Sequence, residues 1–178
     1  MLRSMLMTTL MVSMLPVSAA KLSNEPVRTL DVARYTGQWH EIGHLPMFFQ
    51  RNCKDTVTAT YTPNPDGTIG VHNACRNKDG SMDASDGLAK KVDGQPGALK
   101  VRFAPAWLSW LPLVWADYWV VDLDPDYQWA VVGGPSRKYL WILSRRPAMQ
   151  RELFQKIRDR AQQRGYPVEK LVMAATLY

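Results

Sequence analysis

The chain has 178 residues, 46% of them hydrophobic and 21% charged, with a net charge of +6 and two cysteines. That length fits one domain with its own core and excludes a multidomain assembly, and so few cysteines exclude a disulfide-dense mini-scaffold. The cations are scattered without a long basic run, which argues against nucleic acid and for a solvated basic surface, with anionic lipid or acidic ligands as matching partners.

Arg3, the apolar run from Met5 to Val17 and the small residues Ser18-Ala19-Ala20 follow the n-region, h-region and cleavage pattern of a secretory signal. Residues 1–20 are therefore read as a signal peptide, cut after Ala19 or Ala20, and residues 21–178 as the mature domain. The apolar run is too short for a comfortable membrane span. It is not followed by the cysteine of a bacterial lipid anchor. The expectation is an exported, periplasmic protein, at most peripheral at the outer membrane.

Thr29 to Tyr35 reads as one helical turn leading into Gly37-Gln38-Trp39, where a first strand begins and runs to Leu45. Glycine lets the backbone pass where other residues cannot, and tryptophan is a large plug whose N–H needs a partner. Met47 to Asn52 is a loop with an apolar tip. Asp55 to Tyr61 alternates threonine with Val57, Ala59 and Tyr61, a good strand signal. The turn Asn64-Pro65-Asp66-Gly67 leads to a strand over Thr68–Arg76, and Asn77-Lys78-Asp79-Gly80 to one over Met82–Val92. After Gly94-Gln95-Pro96-Gly97, Leu99, Val101 and Phe103 alternate with Lys100 and Arg102, which are expected to face water.

Ala104 to Trp115 carries two prolines and three tryptophans, a poor helix or strand yet heavily apolar. Strands over Asp117–Leu123 and Tyr127–Val132 meet at Asp124-Pro125-Asp126, and Gly133-Gly134-Pro135-Ser136 turns into a strand over Lys138–Arg145. Pro147 is placed to start a helix, with Met149, Leu153, Ile157 and Ala161 at spacing four and Gly165 as its cap. Leu171 to Leu177 reads as a ninth strand. Eight short strands separated by tight turns predict an all-β fold: an antiparallel up-and-down barrel with one C-terminal helix packed outside. The strands flanking the Pro65-Asp66-Gly67 turn bring Cys53 and Cys75 nearly opposite each other, so a disulfide is expected, worth roughly 3 kcal/mol in the chain-entropy model.

In such a meander the loops alternate between the two ends. Trp39, the Asp124–Tyr127 corner and Arg145 then meet at one end, with the guanidinium over the indole closing the base. The other end collects Phe48, Phe49 and the Trp107, Trp110, Trp115 loop. Exposed apolar loops mark a contact, and three occupants compete: a hydrophobic ligand, a membrane interface, or the loops themselves and a second copy forming a homodimer.

These residues carry a family resemblance. Gly37-Gln38-Trp39 matches the first lipocalin motif, Leu123-Asp124-Pro125-Asp126-Tyr127 resembles the second, and Arg145 in Leu-Trp-Ile-Leu-Ser-Arg matches the arginine of the third. The chain looks most similar to the bacterial and apolipoprotein-D-like branch. The missing anchor cysteine and the tryptophan-rich loop are its departures. The resemblance implies binding of small apolar molecules inside the barrel, most of all fatty acids or lysophospholipids, without a cofactor. The implied ligand contacts are Phe49, Leu99, Val101, Phe103, Tyr118, Tyr139 and Trp141. Pattern alone leaves Tyr118/Val120 and Trp119/Val121 open as the inward pair, and the resemblance favours Tyr118.

Glu41, on the face of Trp39, would be a buried carboxylate in need of a partner, with Arg145 in range. An enzyme is not expected: there is no nucleophile elbow or phosphate loop, and a thiol mechanism would need Cys53 or Cys75 free. His40 and His44 lie two strand steps apart on one face, about 13 Å, too far to share a metal. A protein-interaction module using the apolar mouth is the remaining alternative.

Overall fold

The computed structural model describes residues 21–178; the segment read as a signal peptide lies outside them. Eight antiparallel strands follow in sequence order: β1 (Gly37–His44), β2 (Cys53–Pro63), β3 (Ile69–Asn77), β4 (Met82–Val92), β5 (Gln95–Arg102), β6 (Ala116–Leu123), β7 (Trp129–Gly133) and β8 (Trp141–Ser144). β1 pairs with β8 as well as with β2, which closes the barrel. A short helix α1 (Val32–Tyr35) precedes β1, capped by the Asp31 carboxylate, and α2 (Arg151–Gln163) packs outside. The Cys53–Cys75 disulfide ties β2 to β3.

Two apolar layers follow from the period-two alternation of the strands. The inner one gathers Trp39, Tyr61, Val71, Leu99, Val120, Val132 and Leu143 inside the barrel. The outer one sets Ile42, Val121, Val131 and Ile142 against Phe154, Ile157 and Ala161 of α2. Gly133 allows the outer contact to close, since a Cβ there would stand 2.2 Å from the Tyr166 hydroxyl.

The C-terminal stretch differs from the expected helix start and ninth strand. Ala148–Met149 form β9, paired in parallel with β11 (Thr176–Leu177), and β10 (Val172–Met173) pairs with β1. Met149 is buried in this ladder, so the helix begins only at Arg151, four residues past Pro147. Arg102 departs too. It is buried rather than facing water, because the loop after β5 folds back over it and its guanidinium donates to the Ala104 carbonyl.

The base of the barrel is held by one side chain. The Arg145 guanidinium lies 3.7 Å from the centre of the fully buried Trp39 ring. It donates to the carbonyls of Gln38 at 2.8 Å, Arg34 at 2.7 Å, Thr36 at 3.0 Å and Tyr127 at 3.3 Å. The indole N–H of Trp39 donates to the Tyr35 carbonyl at 2.8 Å. Gly37 takes a φ of +91°, which lets the chain turn from α1 into β1 beneath the guanidinium. The Asp124 carboxylate accepts from the N–H groups of Asp126 and Gln128, and Tyr127, at a φ of +58°, receives the Asp31 N–H on its hydroxyl.

Replacing Arg145 with alanine removes a cation–π contact and strands several carbonyls at once, so a loss of about 2–4 kcal/mol is expected. Lysine should recover only part of it, because one ammonium lacks the forked donors. Urea unfolding of the two variants checks this; an unchanged midpoint for Arg145→Ala would contradict it.

Candidate ligand-binding site

The lumen is filled at its base and lined differently above. Leu99 and Val101 are packed into the floor, 1% and 6% exposed, beside Trp39, Val71 and Val120. Tyr118 is only half-buried and packs against the same inner cluster, so Tyr118 and Val120 are the inward pair of β6. Phe103 lies just past the end of β5, leans across Gly87 and stays exposed at the rim. Tyr139 sits in the β7–β8 loop with its ring stacked 6.1 Å from Trp141, and Phe49 meets its other side at 6.1 Å. Phe49, Tyr139 and Trp141 thus form an aromatic strip from the mouth into the barrel.

Beneath that strip is a polar quartet. The register between β1 and β8 slips between Glu41 and Gly43, so a β-bulge breaks the alternation of β1. Ile42 turns to the outer core, while Glu41 and His44 come to the same face and join at 2.5 Å between Oε1 and Nδ1. The second Glu41 oxygen accepts from Gln50 at 2.7 Å, and Gln50 accepts from the Trp141 indole at 3.4 Å. The expected Glu41–Arg145 pairing is therefore not formed, since Arg145 is occupied with backbone carbonyls at the base. The bulge also parts His40 from the face of His44. Among the described residues no group of three His, Cys, Asp or Glu is arranged to hold a metal.

At the closed end three phenols converge. The Tyr118 hydroxyl lies 2.6 Å from that of Tyr35 and 2.8 Å from that of Tyr61. Burial pushes Tyr35 and Tyr118 well above the ordinary tyrosine range; Tyr61 adds to the rise at Tyr35, where the Tyr118 hydrogen bond opposes it, and both neighbours add to it at Tyr118. Tyr61 is pushed up to about 12, first by burial and further by the Glu41 charge.

The mouth presents an apolar tip. Trp107, Trp110 and Leu113 are 74%, 75% and 98% exposed, and Phe48 and Phe49 in the β1–β2 loop are exposed as well. Trp115 does not join that tip. It folds back on the outer wall, with Lys90 4.2 Å from its ring centre and its indole N–H on the Ser109 carbonyl. Lys90, Lys100, Ser109, Trp110, Pro112 and Trp115 line a cleft of about 260 Å³ there. Both cysteine sulfurs are spent in the disulfide, which leaves no thiol for covalent chemistry among the described residues.

Gln50, Tyr35 and Tyr61 are site residues that the sequence did not single out, and His44 was weighed there only as a metal ligand. Tyr61 carried a signal in the strand alternation; His44 needed the bulge, and Gln50 a loop conformation, neither of which composition reveals.

A closed base, one aromatic entrance and a polar cluster just inside it define the class of cup-shaped β-barrel binding proteins. A family model described as a lipocalin-like domain matches residues 30–176. Temperature-induced lipocalin-1 of Arabidopsis thaliana is 45% identical over 155 residues, covering 85% of this chain and 82% of its own. Outer membrane lipoprotein Blc of Escherichia coli K12 is 38% identical over 149 residues, 82% and 79% of the two chains. Among solved structures, the cockroach allergen Per a 4 superposes with a TM-score of 0.65 at 15% identity, covering 90% of this chain and 97% of that one. Insecticyanin from Manduca sexta gives 0.61 at 19% identity, covering 88% and 86%. At those identities the structural likeness is one of fold. The chain belongs to the lipocalin family, which binds small hydrophobic ligands.

The phenol cluster makes stability sensitive to alkali. Its folded-state ionisation lies above the unfolded one, so the contribution is fully present below the ordinary tyrosine value of 10 and is lost as pH rises through about 12. In the folded chain at about pH 11, tyrosinate absorbance should show at least three of the seven tyrosines still protonated, with the missing signal appearing on unfolding in urea. Full tyrosinate absorbance from an intact fold at that pH would contradict the assignment.

Proposed function

We propose that the chain binds single-chain lipids, fatty acids or lysophospholipids, in the upper lumen and carries them between membrane surfaces of the cell envelope. The observation that carries this reading is the order of surfaces along the barrel axis: exposed apolar tip, aromatic strip, polar quartet, then apolar floor. An acyl chain that enters past Phe49, Tyr139 and Trp141 leaves water gradually, and its burial is worth about 25 cal/mol per Å². The Glu41–His44–Gln50 group gives a headgroup both donors and acceptors at the point where it stops. It sits above the floor, so the headgroup stays toward the mouth and the chain points down.

The exposed Trp107, Trp110 and Leu113 support a second element of the same function, reversible contact with a membrane during loading and release. Tryptophan favours the headgroup region of a bilayer, and the net charge of +6 suits an anionic leaflet. The E. coli K12 and Arabidopsis relatives include one named an outer membrane lipoprotein. In this chain the exposed apolar loop is the surface that supports such a membrane contact.

Native mass spectrometry of the purified protein, followed by organic extraction, tests the lumen reading. A bound acyl species near one per chain is expected. A clean apo mass, unshifted by added oleate or lysophospholipid, would overturn it. The loop is tested apart from the lumen by replacing Trp107 and Trp110 with serine. Co-sedimentation with anionic vesicles should fall by about tenfold or more while oleate binding is kept, since each buried tryptophan contributes of order 1–2 kcal/mol. Unchanged sedimentation would remove the membrane step.

A further inference from the structure

The phenol cluster at the closed end has one more O–H proton than it has internal hydrogen bonds. Tyr35, Tyr61 and Tyr118 bring three O–H protons to two oxygen–oxygen contacts, both made by Tyr118. The rings of Tyr35 and Tyr61 lie 5.6 Å apart, yet their hydroxyls share no hydrogen bond, so the ring of contacts is open. Two protons are used inside the cluster and one is left over. The hydroxyl at the centre can accept from both neighbours and still donate once. Tyr118 is also the member that keeps accessible surface; Tyr35 and Tyr61 are buried. A packing role alone would be served by phenylalanine, without the cost of taking three hydroxyls out of water.

We propose that Tyr35, Tyr61 and Tyr118 form an oxygen-reading end-stop, at which Tyr118 donates a hydrogen bond to a neutral hydroxyl or carbonyl oxygen on the leading end of an otherwise apolar ligand. The inference rests on the lumen reading above and names its ligand class further: acyl or similar chains oxygenated at the end away from the headgroup. One spare proton satisfies one lone pair of a neutral oxygen. It does not satisfy a carboxylate, which needs several donors once it is buried. The floor around the cluster is apolar, with Leu99, Val101 and Val120 beside it, so an alkyl terminus also fits there but leaves the O–H unpaired. The polar quartet at Glu41 and His44 takes the other end, and the two stations measure the chain between them.

The test uses delipidated full-length mature protein and matched probes: decanoic, dodecanoic and hexadecanoic acids against their ω-hydroxy counterparts, each by calorimetry. The readout is the ratio of the parent affinity to the hydroxylated affinity, in the wild type and in Tyr118→Phe. At the chain length that reaches the floor, the variant should shift this ratio against the ω-hydroxy acid by about tenfold, whatever change it makes to the parent affinity itself. Tyr61→Phe, which keeps Tyr118 but opens the cluster, should shift it less, and serves as the second variant if Tyr118→Phe does not fold. Ratios unchanged by these substitutions at every length, with parent acids still bound, would overturn the end-stop alone. Failure of the wild type to bind parent or hydroxylated acids would overturn the lumen reading itself.

Discussion

The structure depends on one guanidinium. Arg145 leaves the end of β8 and binds carbonyls from α1, from β1 and from the β6–β7 corner, with its face on Trp39. Those segments are far apart in sequence, so the contact fixes the two ends of the barrel wall to each other and to the chain that crosses the base. It also decides what the cavity is. With the base sealed, ligands have one way in, and whatever lines the mouth becomes the entry surface. Arg145 is spent on backbone groups, so it offers no charge to the lumen, and the buried Glu41 must find its partners elsewhere.

Glu41 finds them through an irregularity. A regular β1 would turn His44 away from Glu41. Ile42 keeps the helix-facing position that alternation gives it, and the bulge beside it resets the strand so that His44 joins Glu41. β6 uses the same device. Its register slips between Val120 and Asp122, so Val121 and Asp122 both face outward. Asp122 then meets Arg160 of α2 at 2.6 and 2.8 Å, which pins the helix to the barrel. One extra residue in a strand aims a carboxylate inward in one case and outward in the other. Both bulged strands neighbour the helix, so the placement of the polar quartet and the docking of α2 are consequences of one kind of backbone defect.

Much of this was legible in the sequence. The alternation in β2 and β5, the turn residues around Gly67 and Gly80, and the spacing of Leu153, Ile157 and Ala161 specify the barrel and its helix. Strand order alone brings Trp39 to Arg145 and Cys53 to Cys75. The inward face of β8 was legible because period two could be anchored on Arg145, which places Trp141 inside; on β6 pattern left the inward pair open, and only the resemblance favoured Tyr118. Period two fails at a bulge, so His44 read as facing with His40, and Glu41 was matched to the nearest cation. Alternation also says that Arg102 points outward without saying that Trp115 and its loop return to cover it. The three phenols come from α1, β2 and β6, and only the closed barrel brings their hydroxyls within hydrogen-bond distance. Local pattern carries the wall; the polar chemistry inside depends on closure and on backbone irregularity.

The central claim is that the lumen above the Tyr118 floor holds an acyl chain whose head stays near Glu41 and His44. A crystal structure of the protein with an ω-bromo fatty acid, read by the anomalous signal of bromine, tests it most directly. The account predicts one strong bromine peak inside the barrel, between Trp141 and Tyr118. A peak at the outer Lys90–Trp115 cleft or among the mouth loops, with an empty lumen, would contradict it.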